Sequence, residues 1–442
     1  MYFKRITTDA LMQFSYLAGD QGEAFVIDPR TDVEVYLELA AENNLQITAI
    51  FETHRNEDFL SGAGKLGELT GAPVYRSGYE DPGYTYGTTV TEDDSFRFGE
   101  LTLKPLHTPG HTLGHLCYVL EKDERPYLVF TGDSLFYGGI GRTDFYGKDN
   151  LEKMTGLMYD SLFEKIKPLG DGVLVMPAHG AGSACGDDLD NIPLSTIGYA
   201  FADTEALPED RDAFLSAHAY MRHKNPAFET MEKRNLHAGG ELTYTLPPVL
   251  LELPEEGKRV DLRDRFAFSA AHFPGSLYVP ADLVPSYLGW FVGTDEEIVI
   301  IADRVSQELL QLAVASMRRQ GFDRIRGVVA GGMLQEYANQ GKTLAQLGVS
   351  FAEDYFSAEG KIHTLDVRKE EERDREDPVE NRSCIPLQEL KGEADTLPAD
   401  GPMYVVCQSG ERATVAASYL SSVGRESLHV VQGGMMALEE RA

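Results

Sequence analysis

Four times before residue 181, a short apolar run with the pattern of a strand breaks into a loop that carries a histidine or an aspartate. Ile47-Thr48-Ala49-Ile50 leads to Thr53-His54, and Leu101 to Pro105 leads to His107-Thr108-Pro109-Gly110-His111. Tyr127 to Phe130 leads to Gly132-Asp133, and Val173 to Met176 leads to His179. At a strand end a side chain leaves the packed sheet yet stays positioned by it, which suits a metal ligand. The turn chemistry of Pro109-Gly110 projects His111 in this way. Taken singly, each histidine reads more simply as a solvated or hydrogen-bonded loop residue. Four such placements in one stretch make that reading poor. The surrounding pattern fits: Phe3 to Asp28 alternates β-rich runs with Gly-containing turns, Val33 to Glu42 has helical spacing, and Ile47 to Phe51 returns to strand. Strand pairs followed by helix and strand predict an α/β sandwich with these loops along one edge.

The chain has 442 residues. At roughly 100–200 residues per domain this predicts two to four domains, with three as the working count. A formal net charge of −31 without a basic block excludes nucleic acid as a partner, because the phosphate backbone repels such a surface. No apolar run approaches the ~20 residues of a membrane helix. Met1-Tyr2-Phe3-Lys4-Arg5 leads straight into strand-like sequence, so the expected location is the cytoplasm, with no membrane partner. Homo-oligomer formation stays open. The four cysteines, Cys117, Cys185, Cys384 and Cys407, do not make a disulfide framework in a chain this long. Cys117 falls on a predicted strand, where a packed thiol is the default.

The last two hundred residues hold a repeat of about a hundred residues. Arg259-Val260-Asp261-Leu262-Arg263 recurs as His363-Thr364-Leu365-Asp366-Val367-Arg368, and Val328-Val329-Ala330-Gly331-Gly332-Met333 recurs as Val430-Val431-Gln432-Gly433-Gly434-Met435. Between them, Glu297 to Ala302 matches Met403 to Cys407. Each unit reads as strand, loop, strand, helix, strand and Gly-Gly turn, an open parallel sheet. In the second copy, Cys407-Gln408-Ser409-Gly410-Glu411-Arg412 follows a buried strand and precedes the helical Ala413 to Leu420. Backbone amides of such a loop converge on the sulfur, and the helix N-terminus adds positive potential, which favours a thiolate nucleophile. Arg412 is placed to pair with an anionic substrate. The first copy is expected to hold Asp303 at the cysteine's place, and a carboxylate cannot carry a sulfane sulfur, so that domain is expected to be inactive and structural.

Thr53-His54-Arg55-Asn56-Glu57-Asp58-Phe59 resembles the Thr-His-x-His-x-Asp-His signature of the metallo-β-lactamase fold, with Asn56 and Phe59 where the second and third histidines would stand. The four pieces in this order extend that resemblance over about residues 1–240, and both repeats resemble rhodanese domains. The fold implied is an αββα sandwich at 1–245, an inactive rhodanese-like domain at 246–352 and an active one at 353–442. Hydrolases similar to glyoxalase II use two metals and need the missing histidines. Persulfide dioxygenases hold one iron at the positions of His54, His111 and Asp133, and Gly141 to Phe145 and Ser195 to Tyr199 also look like segments of that family. Two imidazoles and a carboxylate make the facial triad associated with non-haem Fe(II) oxygenases, which leaves adjacent positions open.

The resemblance therefore implies one Fe(2+) per chain, and oxidation of a low-molecular-weight thiol persulfide by O2 to sulfite and thiol. Cys407 and its loop, Gln408, Ser409, Gly410 and Glu411, would transfer a sulfane sulfur to sulfite and give thiosulfate. Asp58, His179 and Arg142 are expected around the ligands or the pocket without binding iron, and residues about 193–240 are expected to close its thiol side. His115 is read as a solvated loop residue. The alternatives are a zinc-dependent thioester hydrolase similar to glyoxalase II and a non-catalytic sulfur-carrier or sensing protein.

Overall fold

The computed structural model describes residues 1–441 except 184–188, 240–244, 304–306, 359–361, 374–376 and 380–381. Cys185, Arg304 and Val305 lie outside the described residues. The chain divides into two compact units, Met1–Tyr244 with Arg318–Gly321, and Thr245–Met317 with Phe322–Ala442. Among the described residues no helix is long and apolar enough to cross a membrane.

The first unit is built on two six-stranded sheets. One runs, in spatial order, Tyr2–Thr8, Gln13–Asp20, Glu23–Ile27, Gln46–Phe51, Val74–Ser77 and Thr88–Val90. The other runs Ser195–Thr196, Leu174–Pro177, Arg125–Gly132, Leu116–Lys122, Leu101–His107 and Phe96–Phe98. Their facing sides share one aromatic core, in which Phe25 meets Phe98 at 4.7 Å and Tyr16 meets Phe130 at 5.1 Å between ring centroids. Helices cover the outer faces. Glu34–Glu42 and Ala63–Thr70 bury Tyr36, Ala40 and Leu66 against Leu17, Val26 and Ile50 of the first sheet. Leu151–Asp160 places Met158 in the core of the second sheet. The expected αββα sandwich is what forms. Its physical origin is visible strand by strand: Gln13–Asp20 and Glu23–Ile27 are buried on both faces because one side meets the second sheet and the other meets helices.

The second unit carries two five-stranded, all-parallel sheets. The first runs Val249–Leu250, Ile325–Ala330, Ile298–Ala302, Lys258–Asp261 and Ser276–Tyr278. The second runs Gly348–Ser350, Leu428–Val431, Met403–Val406, His363–Asp366 and Arg382–Cys384, so both have the same strand order. The last sheet begins at Gly348, a few residues ahead of the expected boundary at 353. The repeated Asp-x-Arg recurs as the same buried ion pair, Arg263 on Asp261 at 2.7 Å and Arg368 on Asp366 at 2.9 Å.

Pairing register corrects one sequence-based equivalence. Asp261 lies level with Ile301, and Asp366 lies level with Val406. The residue after each is Ala302 and Cys407, so Ala302, not Asp303, occupies the place of the cysteine. Sequence alignment of two apolar strands tolerates a one-residue slip that backbone hydrogen bonding does not. The consequence for chemistry is unchanged, because a methyl group carries no sulfur either.

Candidate metal centre and cysteine loop

His54, His111 and Asp133 come together at one edge of the sandwich. Their ligating atoms all lie within 4.8 Å of one another and all three residues are buried. His54 follows the strand Gln46–Phe51, His111 lies in the loop between Leu101–His107 and Leu116–Lys122, and Asp133 follows Arg125–Gly132 directly. Three strand ends thus deliver one donor each.

Hydrogen bonds behind each imidazole decide which nitrogen faces inward. The Thr53 hydroxyl donates to Asp28 Oδ2 at 2.7 Å, so its lone pair receives the His54 Nδ1 proton at 2.9 Å. His111 Nδ1 donates to the carbonyl of Arg142 at 2.9 Å. Both Nε2 atoms are therefore lone-pair donors toward the centre. His111 Nε2 and Asp133 Oδ2 lie 3.5 Å apart, buried and without hydrogen-bond partners. Leaving such atoms unsatisfied costs about 1–3 kcal/mol each, and a shared cation removes the cost. Two imidazole nitrogens and one carboxylate oxygen are a donor set that suits a transition-metal ion. The local field agrees. Burial acts to lower the pKa of His111, but Glu57 and Asp133 outweigh it and raise it, so the site favours positive charge.

Asp58 and His179 stand behind this trio. His179 Nδ1 meets Asp133 Oδ1 at 2.9 Å and its Nε2 meets Asp58 Oδ2 at 2.8 Å. Burial opposes protonation, but the two carboxylates prevail and hold its pKa well above the usual histidine value. An imidazolium donating to both carboxylates has no lone pair for a metal. It fixes Asp133 so that Oδ2 alone points at the centre. Phe59 is a buried hydrocarbon side chain, and the loop around it is held by Asn235, whose Nδ2 donates to the carbonyls of Asn56 and Phe59 at 2.7 and 2.9 Å. Asp58 and His179 are thus bound to each other, and Phe59 offers no donor atom.

His115 is not a solvated loop residue. It is completely buried, and its Nε2 accepts from the backbone amide of Asp133 at 3.0 Å while its Nδ1 faces Thr108 Oγ1 at 2.9 Å. Burial first, then His111 and His107, keep its pKa well below the ordinary value, so it stays the neutral acceptor this bond needs. Its part is to hold the backbone of Asp133, and no local sequence pattern announces that. Asp28, which anchors Thr53, and Glu57, which faces both ligating imidazoles, were also missed. Glu57 sits at a variable position of the signature, so only its direction in space marks it. Cys117 is the packed thiol expected, with its pKa pushed up to about 12 by burial.

Arg142 contributes at both ends. Its carbonyl orients His111, and its guanidinium makes a two-pronged pair with Asp144 at 2.7 and 2.8 Å and bonds the carbonyls of Arg222 and His223. Gly141 is obligatory beside it, because a Cβ there would lie 2.0 Å from the carbonyl oxygen of Asp133. The segment 193–240 reaches the centre through Asn235 and the Arg222–His223 carbonyls, whereas Tyr199 is exposed.

In the second unit, Cys407 follows Met403–Val406 and is buried at 1% exposure. The amides of Gly410 and Ala413 point at its sulfur, 3.1 and 3.4 Å away. Gly410 permits this with φ +96°, capping the helix Glu411–Ser422. Gln408 Oε1 accepts from Arg368 at 3.4 Å and the Ser409 carbonyl from Arg265 at 3.4 Å. Arg412 has both of its terminal nitrogens paired with Glu372, at 2.6 and 2.5 Å. The cysteine-free domain touches this loop and its helix. Tyr278 donates to Glu411 at 2.8 Å, and the half-buried Tyr287, its hydroxyl pushed up to about 12 mainly by desolvation, feels the charges of Arg412 and Cys407.

Comparison with known proteins agrees with this geometry. The family model of the metallo-beta-lactamase superfamily matches residues 8–179, and that of the rhodanese-like domain matches residues 354–441. A hydroxyacylglutathione hydrolase of Francisella philomiragia is 30% identical over 39% of this chain, which spans 64% of that relative. The crystal structure of a metallo-beta-lactamase from Staphylococcus aureus subsp. aureus COL is 32% identical, with a TM-score of 0.67, over 75% of this chain and 98% of that one. The structure of ETHE1 from Myxococcus xanthus is 29% identical over 54% of this chain and 100% of that one, with a TM-score of 0.46. With its buried two-histidine, one-aspartate cluster and its cysteine loop, the chain belongs to the metallo-beta-lactamase superfamily and carries a rhodanese-like domain behind that fold.

Proposed function

We propose that the protein is a non-haem iron persulfide dioxygenase joined to a sulfurtransferase. The observation that supports the reading is the one cluster of three donors found among the described residues, with Asp58 and His179 bound to each other rather than open to a second ion. Ferrous iron held by His54, His111 and Asp133 would supply the redox chemistry that joins dioxygen to a terminal sulfur. The balance is one persulfide, one dioxygen and one water giving one thiol, one sulfite and two protons. The sulfane sulfur loses four electrons and the two oxygen atoms of dioxygen gain them.

The chain's own residues prepare that reaction. Thr53 and the Arg142 carbonyl fix the imidazole tautomers, and His179 with His115 fixes Asp133 from its carboxylate and its amide. A small cavity beside His54 is lined by Arg55 and Arg76 and equally by the carboxylates of Glu52 and Glu80. At the other site, Cys407 would accept a sulfane sulfur as a persulfide, which the Gly410 and Ala413 amides stabilise, and release it to sulfite as thiosulfate.

A zinc thioester hydrolase is the reading favoured by the name of the hydroxyacylglutathione hydrolase relative. Anaerobic purification followed by oxygen uptake with glutathione and coenzyme A persulfides, beside a thioester assay, separates the two. Persulfide-dependent oxygen uptake without thioester turnover supports the dioxygenase. The reverse pattern rejects it.

A further inference from the structure

Gln432 is buried at 5% exposure, and neither its Nε2 nor its Oε1 has a hydrogen-bond partner. A primary amide has two donor hydrogens and two acceptor lone pairs, and burying all of them unused opposes folding. Such a group calls for an occupant that completes it. Its place in the sheet says which one.

Gln432 follows the strand Leu428–Val431 as Cys407 follows the neighbouring strand Met403–Val406. The two strands are parallel and Val405 pairs with Val430, so two residues further on Cys407 and Gln432 stand level. Val406 and Val431, which precede them, share one apolar cluster on one face of the sheet. Side chains alternate between faces, so Cys407 and Gln432 both leave on the other, from strands about 4.8 Å apart. The turn that follows shows how closely the two segments run. A Cβ on Gly434 would lie 2.2 Å from the Cys407 carbonyl oxygen, to which the Met435 amide donates at 2.8 Å. A Cβ on Gly410 would lie 3.3 Å from the Val431 carbonyl oxygen. The buried amide thus flanks the loop that cradles the sulfur.

The repeat supplies an independent comparison. In the cysteine-free domain Ala302 takes the place of Cys407, and its register partner is Ala330. Ala330 precedes Gly331-Gly332-Met333 as Gln432 precedes Gly433-Gly434-Met435, so it takes the place of Gln432. Where the thiol is absent, the amide is absent with it. A role in the sheet alone does not link the two positions, whereas a role at the sulfur does.

The Gly410 and Ala413 amides already face Sγ itself. What lacks a donor is the outer sulfur that arrives when Cys407 becomes a persulfide. We propose that Gln432 binds that outer sulfur, its Nε2 donating to the anion. In the step, the Cys407 thiolate attacks the terminal sulfur of a thiol persulfide anion. A new S–S bond forms to Cys407, the old one breaks, and its electron pair leaves on the departing thiolate. One thiolate and one persulfide anion go in, and one of each comes out. The inference rests on the sulfurtransferase reading of Cys407 and not on the metal centre.

The test loads the full-length protein, without oxygen, from mixtures of glutathione persulfide and glutathione. Intact mass reads the fraction of chains that carry one added sulfur, and Cys407→Ser sets the background from the other cysteines. Gln432→Leu and Gln432→Met remove the amide at similar volume. Thermal unfolding and the rate at which iodoacetamide alkylates Cys407 separate contact from fold. Each variant is expected to melt at or above the wild-type temperature and to alkylate at the wild-type rate. Each is expected to need about 10-fold more persulfide relative to glutathione for half loading, the worth of a hydrogen bond to an anion. Half loading at the wild-type ratio in either variant overturns the proposal and leaves the sulfurtransferase reading standing. A lower melting temperature together with slower alkylation also overturns it, because the amide then serves the fold. A wild-type protein that takes up no sulfur at Cys407 overturns the proposal and the sulfurtransferase reading together.

Discussion

At the residue scale, the centre depends on side chains that never touch the metal position. Thr53 accepts the Nδ1 proton of His54 only because its own proton goes to Asp28. Thr53→Ala removes that acceptor and should lower metal affinity by about 10–100-fold, measured by competition with a chelator, while Thr53→Ser, which keeps the oxygen, should stay near wild type. Equal affinity in the alanine variant would show that the tautomer is fixed elsewhere. His272 sets a pH limit on the fold. It is fully buried, its Nδ1 donates to the Phe268 carbonyl at 2.9 Å, and its ring stacks on Phe268 at 3.9 Å. Burial lowers its pKa to about 4. The unfolded chain, with histidine near its ordinary value of about 6.5, binds the proton first, so stability is full above that pH and is lost as pH falls toward 4. The loss is about 3 kcal/mol at most. His272→Gln should flatten this part of the stability profile in thermal unfolding between pH 6.5 and pH 4, and an unchanged profile would assign the acid sensitivity to other groups. Residues such as His115, Asp28 and Glu57 were not legible in sequence, since each acts on a partner brought near only by the completed fold.

At the scale of elements, most of the fold could be read. The run Ile47 to Phe51 is a strand over Gln46–Phe51, and the helical spacing of Val33 to Glu42 is a helix over Glu34–Glu42, because one buried face imposes its period on the sequence. The three candidate ligands were legible for the same reason: each follows an apolar strand whose burial is unmistakable. What stayed hidden was register and pairing. Ala302 replaced Asp303 as the counterpart of Cys407, and Arg412 closed on Glu372, a residue forty positions away with no local sign of the contact. Gly141 shows how tightly loops are fitted around the centre. Gly141→Ala would drive a methyl group into the Asp133 carbonyl and should cut bound metal sharply while circular dichroism still reports the folded sandwich. Full metal occupancy in that variant would mean the loop yields without moving Asp133.

At the scale of the whole molecule, the proposed function puts two chemistries of sulfur on one chain, and the repeat in the second half is as informative as the candidate ligands of the first. On that proposal, a sulfane sulfur taken up at Cys407 and sulfite made at the metal centre would be the two halves of thiosulfate. Cys407→Ser should leave persulfide-dependent oxygen uptake largely intact and shift the product from thiosulfate toward sulfite, read by quantifying both anions. An unchanged product ratio would separate the two activities. The central claim, a single ion held by His54, His111 and Asp133 with Asp58 and His179 unavailable to another, is tested most directly by metal analysis of anaerobically purified protein. The account expects one iron per chain, lost on replacing His111 with alanine. Two zinc ions per chain would contradict it.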